Sequence, residues 1–70
     1  MVLNNEVEIA IERVEKEKGG PRDHEVLFLW LLQREIITSK NIKAFRGKTL
    51  KELAACCRAD LEATAASTEE

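Results

Sequence analysis

The stretch "HEVLFLWLLQREII", residues 24–37, holds an unbroken apolar run over residues 26–32, inside a chain of 70 residues of which 34% are charged. On a helix turning about 100° per residue, Val26, Trp30 and Ile37 share one direction, Leu27 and Leu31 a second, and Phe28, Leu29, Leu32 and Ile36 a broad third. Gln33, Arg34 and Glu35 interrupt only the C-terminal half. The first two turns are apolar on every side, the pattern of a helix surrounded by other elements. A central buried strand would read the same way, but no convincing second strand is present for it to pair with.

Upstream, Leu3, Val7, Ala10 and Val14, with Ile11 beside them, recur at helical steps and define one face of a helix over residues 3–18. Val7, Ile9 and Ile11 also alternate with Glu6, Glu8 and Ala10 as a half-buried strand would. The helix is preferred because Glu12, Arg13, Glu15, Lys16, Glu17 and Lys18 are good helix formers, and Glu12 and Lys16 form a favourably oriented i, i+4 pair. Ile9 then falls off the main stripe. Gly19-Gly20-Pro21 ends the helix, glycine by adopting the left-handed cap conformation and proline by lacking an N–H. Asp23 is expected to N-cap the second helix, over residues 24–37.

Downstream, "TSKNIKAFRGK", residues 38–48, is polar and encloses a short helical turn near residues 41–46, which drops Ile42 and Phe45 onto the core before Gly47 ends it. Thr49-Leu50-Lys51-Glu52 forms a capping box, the hydroxyl and the carboxylate each satisfying an orphan backbone N–H. The helix it opens, over residues 50–65, carries Leu50, Leu53, Ala54, Cys57, Leu61 and Thr64 on one stripe, with Ala55, Ala59 and Ala63 alongside. The acidic tail, residues 65–70, is expected to fray. The fold class is therefore all-α: a compact three-helix unit in a single small domain, residues 1–70, with no internal repeat or linker.

A core this small rarely supplies more than about 3–5 kcal/mol, so a chain of 7.9 kDa needs further support. Cys56 and Cys57 are adjacent and cannot staple separate parts of one chain. One histidine and two neighbouring cysteines offer no metal-ligand pair at the usual spacing, so neither metal nor cofactor is expected. Oligomerisation remains, and completion of the fold by homodimerisation is the expectation. A net charge of -2 and a pI near 5.4 suit a cytoplasmic protein and disfavour general nucleic-acid coating. The N-terminal segment is acidic and patterned, unlike a signal peptide, and the apolar run is far shorter than the roughly 20 residues a membrane helix needs.

Few side chains carry chemistry. His24 lies beside Asp23 and Glu25 without a nucleophile or partner ligand near it in sequence, and reads as an exposed residue near a helix start. Cys57 falls on the leucine stripe as a small buried hydrophobe, whereas Cys56, about 100° away, is the more exposed. There is no Gly-rich phosphate loop, paired carboxylate in an apolar setting or Ser/His/Asp set, so no enzyme activity is expected.

Two kinds of function remain. Two neighbouring helices cover at most two sides of the central one, which leaves Leu27, Phe28, Trp30 and Leu31, with Ile9, to meet a partner. On this reading the chain is a small non-catalytic regulator, adaptor or inhibitor that binds a protein target through an apolar helix and also pairs with itself. Its size suits the compact genes of phages and plasmids, with a host regulator as target. The alternative is a small dimeric DNA-binding transcriptional regulator, with Lys40, Lys43, Arg46, Lys48 and Lys51 on phosphates. "TLKELAACCRADLEATAAS", residues 49–67, opens like the first helix of a helix-turn-helix, but it lacks the usual glycine in the turn and has an alanine-rich segment where the recognition helix belongs.

Overall fold

Four helices form along the chain in a computed structural model that describes residues 2–68, with side chains through Thr64. They are α1 (Asn4–Glu15), α2 (Pro21–Gln33), the short α3 (Ile42–Arg46) and α4 (Leu50–Thr68). No strand occurs among the described residues. The first segment thus resolves its two periodicities as a helix, with Val7, Ala10, Ile11 and Val14 buried as the stripe predicts. Leu3 departs from that stripe: it is the residue before α1, in extended backbone, and is 56% exposed.

The helix ends differ from expectation. At the end of α1 the left-handed position is taken by Glu17 (φ 59°), and neither Gly19 nor Gly20 has positive φ. Glu17 N–H donates to Val14 O at 3.0 Å and Lys18 N–H to Arg13 O at 2.8 Å, the paired bonds of a Schellman stop. The same device ends α2 at Gln33, four residues before the expected boundary. Glu35 (φ 62°) turns the chain, with Glu35 N–H on Leu32 O and Ile36 N–H on Leu31 O. Turning here folds the strand of chain after α2 back, and Ile37 is buried in the core instead of extending the helix.

Asp23 is not the N-cap of α2. Gly20 is, with Pro21 at the first helical position, where its missing N–H costs nothing. Asp23, three residues in, accepts the Gly20 N–H at 3.0 Å, and Glu6 does the same for Leu3 N–H at 2.9 Å. Glycine and leucine offer no side-chain acceptor, so only the carboxylate half of a capping box forms at each. At α4 the Thr49 hydroxyl accepts the Glu52 N–H at 3.2 Å, which is the hydroxyl half of the expected capping box; the carboxylate half does not form, and Glu52 faces Lys48 Nζ at 3.9 Å. That helix continues past residue 65 to Thr68. Residues 69 and 70, the end of the expected fraying tail, lie outside the described residues.

The core collects Val7, Ala10, Ile11 and Val14 from α1, Leu27, Trp30 and Leu31 from α2, Ile37, and Leu53, Ala54 and Cys57 from α4. Ile42 and Phe45 of α3 pack against it half-buried, as expected. Polar links tie the helices at their margins. Asp23 joins Arg13 at 3.3 Å, Glu15 joins Arg58, and the Gln33 amide exchanges two hydrogen bonds with the Val2 backbone at 2.9 and 3.0 Å. Gly19 makes close packing possible at the first turn: a Cβ there would stand 2.6 Å from Leu50 Cδ2 and 2.9 Å from Val14 Cγ2.

Candidate interaction surface

α2 packs against both α1 and α4, which also pack against each other, so the three long helices share one core and α2 is not flanked as a central rod. Leu27 and Leu31 are 0% exposed and Trp30 is 5% exposed, so these three, expected on the partner-facing strip, lie inside the single chain. Trp30 is held there by more than packing. Its indole N–H donates to Asp60 Oδ2 at 3.2 Å, and the Arg34 guanidinium lies 5.8 Å above the ring while donating to the same carboxylate at 3.0 Å. Thr64 completes the seam, its hydroxyl accepting from Arg34 at 3.1 Å and donating to Asp60 O at 2.9 Å.

What α2 leaves outward is a different set of residues. Leu29 is 44% exposed, and Val26, Phe28 and Leu32 are half-buried around it. Phe28 and Leu29 floor a shallow groove of about 270 Å³, bounded by His24 and Glu25 on the α2 side and by Arg46 of α3 on the other. The His24 imidazole stacks on Phe28, with ring centres 6.2 Å apart and planes inclined by 11°. On the far flank of α2, Ile9, 48% exposed, borders a second hollow of about 190 Å³ together with Val26, Arg13 and Arg22. The structure thus keeps Ile9 exposed and Phe28 partly so, and it adds to the outward apolar set Leu29, which the sequence reading does not single out. A signal for it existed. Arg22, Glu25, Leu29 and Gln33 follow one another at helical steps, and the leucine is the only apolar residue on that line.

The basic segment is not one free patch. Lys48 Nζ stands 3.9 Å from Glu52 and 5.4 Å from the centre of the Phe45 ring, and Lys51 lies 3.4 Å from Glu17. Lys40, Lys43 and Arg46 are exposed and have no ion-pair partner among the described residues. Lys43 and Arg46 share a face of α3 by their spacing.

The thiols separate as their positions predict. Cys57 is fully buried, its Sγ 3.6 Å from Leu27 O, and burial pushes its thiol up to about 12. A group so rarely ionised at neutral pH is a poor nucleophile. Cys56 is half-buried. Among the described residues no group of three or more His, Cys, Asp or Glu side chains is placed to hold a metal ion, and no helix is long and apolar enough to cross a membrane. No family model, curated protein or solved structure matches this chain.

Proposed function

We propose that this chain is a small non-catalytic helical protein of the cytoplasm that binds another protein, as a regulator, adaptor or inhibitor, through the outward face of α2. The observation that carries the reading is Leu29, an exposed leucine set beside Phe28 over an open groove. Anchoring such a groove with one large apolar side chain, ringed by polar groups that fix orientation, is how small interfaces concentrate their binding energy. Binding there competes with whatever that partner normally contacts. A photo-cross-linking residue placed at position 29 in living cells tests this. Adducts from position 29, and none from the same residue at the exposed Ala59 of α4, are the expected outcome. Equal labelling from both positions, or none from either, defeats the reading.

Lys40, Lys43 and Arg46 support a second reading, a dimeric DNA-binding regulator. Three phosphate contacts per chain give a salt slope of only about -2.7, and about -5.4 for two chains, so such binding is weak at physiological salt. Failure to retard duplex DNA at low ionic strength removes it.

A further inference from the structure

The groove between α2 and α3 has walls of opposite charge. Glu25 stands on the α2 wall and Arg46 on the α3 wall, both are exposed, and neither has an ion-pair partner among the described residues. Between them the floor is apolar, made by Phe28 and Leu29. A patch that is acidic on one side, basic on the other and apolar in the middle complements itself after a half-turn about an axis through its centre. We infer that the occupant of this groove is the same groove of a second copy, with Leu29 against its symmetry mate at the axis and Glu25 of each chain paired with Arg46 of the other.

The two-fold arrangement pairs four charges, the two that each chain leaves unpaired, and it removes from water the most exposed large apolar residue of α2. A partner of uniform charge satisfies one wall and opposes the other. The chain presents 5071 Å² of surface, and a standard interface takes about 800 Å² from each partner. The five residues that line the groove are far fewer than the roughly 20–30 a side that such an interface uses. The dimer is therefore of the reversible kind, and it suits a surface that exchanges its own copy for a target. The inference rests on the placement of the interface proposed above and names its first occupant.

Sedimentation equilibrium of the purified chain, from about 1 µM to about 1 mM, reads the association directly. The wild type is expected to pass from monomer to dimer across this range. Glu25→Arg and Arg46→Glu are each expected to weaken the dimer about tenfold or more, because each sets like charges against each other twice per dimer. An equimolar mixture of the two variants is expected to recover a mixed dimer within about threefold of the wild-type affinity, since every pair is then again of opposite sign. Circular dichroism should show unchanged helix content, as both side chains are exposed and make no hydrogen bond or ion pair among the described residues. A monomer throughout, a dimer indifferent to both reversals, or a mixture that fails to recover each overturns the inference. The protein-binding reading is separable from it: a monomeric purified chain that still cross-links from position 29 to a different protein in cells sinks the dimer alone.

Discussion

Asp60 stands three residues past Cys57 on α4, where its carboxylate receives both the Trp30 indole N–H and the Arg34 guanidinium. Its side chain is only 14% exposed, so removing it leaves a buried indole N–H without an acceptor. Asp60→Ala is expected to cost about 1–3 kcal/mol in urea unfolding, and Trp30→Phe about 1 kcal/mol, because Arg34 still satisfies the carboxylate in the second variant. Smaller and equal losses would place the weight of this seam in packing alone. Cys57 makes a prediction about pH. Its folded thiol titrates near 12 against an ordinary 9.0, so the folded state holds that proton more tightly than the unfolded one. The resulting stability is fully present below pH 9 and is lost as pH rises from about 9 towards 12, on the order of a few kcal/mol in total. Cys57→Ala is less stable at neutral pH but should lose less on the way from pH 9 to 11, by thermal melts of both proteins. Neither residue-level feature was fully legible in the sequence. The stripe placed Cys57 inside, but nothing local ties Trp30 to a carboxylate 30 residues away.

At the scale of the elements, existence was legible and ends were not. Steps of three and four apolar residues marked α1, α2 and α4, and Thr49 marked the start of α4. The stops escaped because both left-handed positions are held by glutamates, Glu17 and Glu35, where composition points to glycine. A left-handed non-glycine residue costs about 1–2 kcal/mol, and glycine returns about 0.5–1 of that as unfolded-chain entropy. Glu35→Gly should therefore stabilise the chain by about 0.5–1 kcal/mol. Glu17→Gly should gain slightly less, since it gives up the exposed contact with Lys51. A loss of stability in both would mean that the glutamate side chains matter more than their backbone. The glycines that do occur have other uses. Gly19→Ala forces a methyl onto Leu50 and Val14 and should destabilise by about 1–3 kcal/mol, while nothing lies within 4 Å of a Cβ at Gly20. Gly20→Ser should accordingly be neutral or gain a few tenths of a kcal/mol as an N-cap, about what such caps add over glycine. Calorimetric melting of the two substitutions side by side tests the contrast.

For the whole molecule, the sequence puts α2 between two flanking helices with one side seeking cover, whereas the three long helices pack mutually, and Leu27, Trp30 and Leu31, three of the five residues it assigns to that side, are buried. A run that is apolar all round carries no internal mark of which face its neighbours take. That is decided by where α1 and α4 dock, through links such as Asp23 to Arg13 and Asp60 to Arg34 that span 10 and 26 residues. The consequence is testable with two leucines two positions apart. Leu31 is fully enclosed, and truncating such a side chain costs about 2–5 kcal/mol, comparable to the roughly 3–5 kcal/mol that holds a domain of this size together. Leu31→Ala should leave the chain largely unfolded at room temperature, so its loss of any binding says nothing about contact. Leu29 is nearly half exposed and its helix position tolerates a polar residue, so Leu29→Asp should cost about 1 kcal/mol or less in a dilute monomer. The same substitution introduces a charge at the centre of the apolar floor, and association through the α2 face should weaken about a hundredfold, the scale of losing a central anchor. Far-ultraviolet circular dichroism at micromolar concentration, followed by sedimentation at higher concentration, separates the two effects. If Leu29→Asp unfolds the dilute chain as Leu31→Ala does, the α2 face is core and the surface assigned to partners must be sought at Ile9 or on α3.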